Sequence, residues 1–110
     1  MSFDLVIWEG ERPADDLAAG VAYNELFQRY DEQNPHTPAT DRIAAYCEAL
    51  TSRWPDAYTA PWSITPMPSG PFLYLCVVWS MADEVSVIAA ELAASMGLVC
   101  YDPQSDALLR

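Results

Sequence analysis

Residues 72 to 80 read Phe-Leu-Tyr-Leu-Cys-Val-Val-Trp-Ser. They are apolar at every position but the last and rich in aromatic and β-branched side chains, the composition of a strand. A strand with one wet face alternates apolar and polar residues, and this one does not. The run therefore predicts a central strand whose two side-chain sets, Phe72, Tyr74, Cys76, Val78 and Leu73, Leu75, Val77, Trp79, both need apolar contacts.

The flanks supply its neighbours. Downstream, Val85, Ile88, Ala89, Leu92 and Met96 fall at helical spacing, which predicts a helix over 81–96 capped by Ser80 or Asp83 and stopped by Gly97. A strand is expected at 98–101, a turn at Asp102-Pro103, and a trailing end or short edge over 106–110. Upstream, the stretch 55–71 holds five of the nine prolines. That density excludes a central strand and leaves room for a short edge strand over 61–65.

Further upstream, Ile43, Tyr46, Cys47, Leu50 and Trp54 give the cleanest helical periodicity in the chain. This helix is expected to start near Thr37 or Thr40, with Thr37 as N-cap before Pro38, and Pro55 ends it. Over 14–30 another helix is expected, with Asp15 and Asp16 at its positive end and Tyr23, Leu26, Phe27 and Tyr30 as its core stripe. Glu25 and Arg29 stand at i, i+4 on its wet side. A polar connector, 31–38, joins the two helices. Phe3 to Trp8, broken once by Asp4, reads as the first strand.

The order is strand, two helices, weak strand, strand, helix, strand. It predicts one α+β domain over 1–110 with a ferredoxin-like βα(α)ββαβ plan: a four-stranded, mainly antiparallel sheet with helices on one face. On that plan Leu5 and Ile7 face the helices, and Val6 and Trp8 belong to an outer face. An apolar outer face needs cover, either from the 55–71 loop or from a second copy of the chain, so a homodimer is one expected outcome.

Charge limits the partners. The 110 residues carry 16 acidic and 5 basic side chains, a net charge of -11, and the bases are all arginine: Arg12, Arg29, Arg42, Arg53 and Arg110. From Trp54 to Leu109 there are six acids and no base. Phosphate backbones and anionic membranes are repelled by such a surface, and a basic protein is attracted to it. No positive leader followed by an apolar core opens the chain and no 18-residue apolar run occurs, which points to a cytoplasmic setting. The cysteines, Cys47, Cys76 and Cys100, show no CxxC spacing and sit in apolar stretches, as buried thiols do.

Catalytic groups are not apparent. The single histidine, His36, lies between two prolines in the polar connector, far in character from the three cysteines. Asp15-Asp16 and Asp83-Glu84 sit at helix starts, where dipole compensation accounts for them. The glycines, at 10, 20, 70 and 97, form no phosphate loop. No catalytic residue, metal site or cofactor is expected.

The segments SFDLVIWEGERP, RIAAYCEALTSRWP and AAELAASMGLVCYDPQ together resemble a family of small, acidic, uncharacterised bacterial proteins of actinobacterial type. The stretch Gly97-Leu-Val-Cys-Tyr-Asp-Pro-Gln104 is the most specific part. The resemblance spans nearly the whole chain and implies no activity or catalytic residues. Met96 stands where such sequences often have histidine, and Asp102-Pro103-Gln104 fits a strand-ending Asx turn. In size, charge and class the chain is also similar in outline to immunity proteins of bacterial toxin systems, a likeness of type and not of motif.

The functional expectation is thus a non-enzymatic protein-binding domain, most concretely an immunity-type inhibitor of a basic toxin. Its expected contact residues are Asp56, Trp62 and Met67 in the proline-rich loop, with Asp31 and Glu32 as a second acidic patch. The alternative is a homodimeric ferredoxin-like domain that binds a partner or a small apolar ligand through its sheet face.

Overall fold

The computed structural model describes residues 2–56 and 58–109. It is an α+β structure with a five-stranded antiparallel sheet: β1 (Ser2–Trp8), β2 (Trp62–Ile64), β3 (Phe72–Val78), β4 (Val99–Asp102) and β5 (Ala107–Leu109). The strands lie in the order β2-β3-β1-β4-β5, each antiparallel to its neighbours. β3 lies inside the sheet, as its unbroken apolar run requires, and pairs with β1 along its whole length from Trp8↔Phe72 to Ser2↔Val78. The expected four strands become five because the chain after the Asp102 turn adds β5 to the edge of β4.

Three α-helices pack on this sheet: α1 (Asp16–Phe27), α2 (Asp41–Thr51) and α3 (Ala82–Ser95). They do not share one face. Leu5, Ile7, Leu73, Leu75, Val77 and Cys100 are buried together with Ile43, Tyr46 and Leu50 of α2 and Val85, Ala89 and Ala93 of α3. Val6, Trp8, Phe72, Val99 and Tyr101 point the other way and are buried by Ala19 of α1, with Tyr23, Leu26, Phe27 and Tyr30 packed beside them. The expected arrangement, with all helices on one face and the other covered by the 55–71 loop or a second chain, is therefore corrected. The aromatic stripe of α1 provides the cover.

Register follows from this double burial. Slipping β1 by one residue would exchange Leu5 and Ile7, each worth about 1.5–3 kcal/mol when buried, with Asp4 and Val6, and would drive a carboxylate into the α2/α3 core. Between α2 and α3, the fully buried Tyr46 donates its hydroxyl to the Ala89 carbonyl at 2.8 Å, so the one polar atom it buries is paired.

The helix ends partly differ from expectation. Asp15 caps α1, accepting from the Ala18 N–H at 2.8 Å, and Asp16 accepts from the Leu108 N–H at 2.9 Å, tying α1 to β5. Thr40, not Thr37, caps α2. Thr37 is committed elsewhere, donating its hydroxyl to the Asn34 carbonyl while its own carbonyl accepts from Gly70. α3 has no side-chain cap, because a short 3-10 turn over Trp79–Met81 feeds the chain directly into it. Gly97, at φ +71°, ends α3 as read, and Leu98 N–H bonds back to the Ala93 carbonyl.

α1 also runs on without a break into a π-helical segment, Gln28–Gln33. The chain then rounds the end of the sheet to α2 on the opposite face. It is pinned there by the β2–β3 turn: Gly70 N–H bonds Thr37, Thr40 N–H bonds Gly70, and buried Ser69 donates its hydroxyl to the Asn34 carbonyl.

Candidate functional site

α1 covers the β1/β4 side of its face and leaves the β2/β3 side partly open. The opening is a groove of about 320 Å³ lined by Phe27, Asp31, Ile64, Thr65, Met67, Tyr74 and Cys76. Each wall has a local cause. Tyr74 and Cys76 come from the face of β3 that α1 fails to cover. Phe27 and Asp31 come from the last turn of α1 and the π-helical segment, a wider coil often found where a helix is shaped for a site. Phe27 and Tyr74 set their rings 5.6 Å apart at 57°, which forms the aromatic corner.

Ile64 and Met67 form the outer lip, and both are 66% exposed. Ile64 reaches this face through an irregularity in β2. Trp62 pairs with Val77 and Ile64 with Cys76, a register shift between two residues that would otherwise share a face. Trp62 is thereby turned to the opposite side, where it stacks edge-on against Trp54 at 5.7 Å and 87° and joins the α2/α3 core.

At the inner end, Asp4 of β1 is the cross-strand partner of Cys76. Its Oδ2 accepts from the Tyr74 hydroxyl at 2.6 Å and its Oδ1 from the Ser2 hydroxyl at 3.1 Å. Burial pushes the Tyr74 phenol up, and the Asp4 hydrogen bond and charge push it further. The Cys76 thiol is raised too, by burial first and then by Asp4 and Asp31. A thiol raised in this way favours its neutral form.

Asp31 is exposed, and among the described residues it has no hydrogen-bond or ion-pair partner on its side chain; the single ion pair there is Arg42–Glu9 at 3.9 Å. The i, i+4 residues Glu25 and Arg29 do not meet, and instead line a polar cleft on the other flank of α1. Asp31 thus faces the groove uncompensated.

Of the residues read as contacts from sequence, the groove brings together Asp31 and Met67. Glu32 is exposed one residue on, outside the lining. Asp56 is a turn former 2.9 Å from the Tyr58 N–H, and Trp62 is on the far face. Phe27, Ile64, Tyr74, Cys76 and Asp4 were not among the expected contacts. The signal for three of them was present: Asp4 interrupts an apolar strand, and Tyr74 and Cys76 are the polarisable members of one β3 face.

The remaining chemistry is dispersed. His36 is exposed in the connector, Cys47 is half-buried on α2, and Cys100 is buried with its thiol pushed up to about 12 by burial. The expectation of three buried thiols is corrected for Cys47 and Cys76, which are only partly covered. No group of three or more His, Cys, Asp or Glu side chains among the described residues is placed to hold a metal ion. No helix among them is long and apolar enough to cross a membrane.

The segment Asp102-Pro103-Gln104 has a structural task. Asp102 Oδ1 accepts from the Gln104 N–H at 3.0 Å and its Oδ2 from the Ser105 hydroxyl at 2.7 Å. The Gln104 amide then pairs with both backbone groups of Asp4, donating Nε2 to its carbonyl at 2.8 Å and accepting its N–H on Oε1. Comparison of the chain with protein-family models, curated proteins and solved structures finds no match.

Proposed function

We propose that this chain is a non-enzymatic protein-binding domain, an immunity-type inhibitor that engages a basic protein such as a toxin through the groove between α1 and β2–β3. One observation carries the reading: two large exposed apolar side chains, Ile64 and Met67, border an uncompensated carboxylate, Asp31, on a chain of net charge -11. Apolar lip and unpaired charge together suit a partner that brings both apolar contact and positive charge. The short edge strand β2 beside the groove leaves its outer backbone free for the same partner.

Two finer readings belong with this. The antiparallel order β2-β3-β1-β4 supports a ferredoxin-like plan, extended by β5 and wrapped by α1. A cytoplasmic setting suits three cysteines that are all unpaired. The homodimeric alternative has less to rest on, since α1 covers the β1/β4 side of the apolar sheet face it relied on.

The test begins with the neighbouring gene, where a large secreted protein with a basic C-terminal domain is expected. Its association rate with this chain should fall by roughly tenfold or more from low to high ionic strength, and Met67→Ala should speed dissociation. An association rate indifferent to salt overturns the reading.

A further inference from the structure

We infer that the groove is a receptor for one arginine side chain of the partner, with the aliphatic stem on Phe27, Ile64 and Met67 and the guanidinium against Asp31. This rests on the proposed binding function and narrows it to a single recognised group.

Three features select the occupant. The groove, at about 320 Å³, is at the small end of ligand sites, roughly 300–1,000 Å³, so it admits one long side chain rather than a helix. Its walls are mixed: apolar at Ile64, Met67 and Phe27, aromatic at Phe27 and Tyr74, and acidic at Asp31, with Asp4 behind Tyr74 and Cys76. A leucine or phenylalanine would leave the Asp31 carboxylate without a partner. An anion would be repelled by Asp31 and Asp4. A second copy of the chain would bring its own carboxylates and its own charge of -11 against them.

Between the two basic side chains, arginine fits better than lysine. Its planar guanidinium stacks on aromatic faces while bonding a carboxylate in the same plane, and it is less strongly hydrated than an ammonium. Lysine satisfies the charge and not the ring. The inner carboxylate is also already held: Asp4 spends one oxygen on Tyr74 and the other on Ser2, so it stays in place without an arriving cation. Asp31, which has no such bonds among the described residues, is the group available to pair.

The experiment is an amide NMR titration of the full chain at low ionic strength with acetyl-Gly-Arg-Gly-amide. Its citrulline, lysine and leucine counterparts serve as comparators. The arginine peptide should shift the amides of Phe27, Asp31, Ile64, Tyr74 and Cys76 saturably. The citrulline and leucine peptides should bind at least tenfold more weakly and the lysine peptide several-fold more weakly. Asp31→Asn should remove the arginine preference, while Asp56→Asn, in a turn outside the groove lining, should leave it intact. Equal binding of arginine and citrulline, shifts scattered over the acidic surface, or an unaffected Asp31→Asn variant overturns the inference. Equal binding of lysine overturns the choice of arginine. If the peptide avoids the groove while a basic protein still associates in a salt-dependent way, this inference fails and the broader binding function stands; a salt-insensitive association removes the function itself.

Discussion

Tyr74 of β3 and Asp4 of β1 are diagonal neighbours on adjacent strands, with the phenol hydroxyl 2.6 Å from Asp4 Oδ2. The pair lets a carboxylate interrupt β1 on a face otherwise filled by Val6 and Trp8. Hydrogen bonds to charged groups are worth about 1.5–3 kcal/mol, less where solvent reaches them, as it does at these half-buried residues. Tyr74→Phe should therefore destabilise the fold by about 1 kcal/mol in urea unfolding, and Asp4→Ala with Tyr74→Phe should cost less than the sum of the two single changes. Strict additivity would mean that the hydrogen bond contributes nothing.

Alkaline pH should weaken the fold from a defined point. Burial raises the thiol of Cys100 from 9.0 to about 12, and burial also raises the phenols of Tyr46 and Tyr74 above 10.0. A group whose folded-state pKa is raised stabilises fully below its unfolded value, and that contribution is lost as pH climbs toward the folded value. The melting temperature should hold up to about pH 9, begin to fall there as the thiols of Cys47, Cys76 and Cys100, all raised in the fold, ionise more readily in the unfolded chain, and fall faster beyond pH 10. Tyr46→Phe should flatten the steeper limb. A melting temperature constant through pH 11 would show that these groups ionise as easily folded as unfolded.

Gly70 is the most crowded of the four glycines. At φ +55°, with a Cβ that would lie 2.6 Å from Tyr30 Cε1, it allows the β2–β3 turn to pack beneath the π-helical segment while bonding Thr37 and Thr40. Gly70→Ala adds left-handed strain of about 1–3 kcal/mol and a clash with the Tyr30 ring. The expected loss in chemical denaturation is about 2–3 kcal/mol. Pairing it with Tyr30→Ala should relieve the clash and leave the strain, recovering part of the loss. Full recovery would place the whole cost in the ring.

Strands and helices were legible because their signals are local. FLYLCVV could only be an inner strand, although Trp79 and Ser80, expected to continue it, leave for the 3-10 turn with Trp79 half exposed, and Ile43, Tyr46 and Leu50 fixed one face of α2. The placement of α1 was not legible, since its stripe of Tyr23, Leu26, Phe27 and Tyr30 says that it buries a face and not which side of the sheet it takes. That choice depends on a connector that rounds the sheet end through Ser69 and Gly70, contacts about 35 residues apart in sequence. The groove was half legible for the same reason. Asp31 and Met67 stood out by type, whereas the β2 irregularity that sets Ile64 on the lip of the groove and sends Trp62 to the other face leaves no mark in composition.

Gln104 substitutes for a missing stretch of sheet. β4 pairs with β1 only from Val6 to Trp8, and Pro103, which follows β4, has no N–H to extend the ladder toward Asp4. The Gln104 side-chain amide takes that place, offering the Asp4 backbone one donor and one acceptor, while Asp102 holds the turn that aims it. Gln104→Ala should cost about 1 kcal/mol, because the site is solvent-accessible and water replaces part of what is lost. Local consequences should exceed that figure: hydrogen exchange at the Asp4 amide should quicken at least tenfold while the amides of Leu5 to Trp8 keep their protection. Gln104→Glu should be worse than alanine, since it removes the donor and sets a third carboxylate beside Asp102 and Asp4. If Asp4 exchange is unchanged in Gln104→Ala, the Asp4 N–H is protected by something other than this amide, and the turn motif serves only to connect β4 to β5.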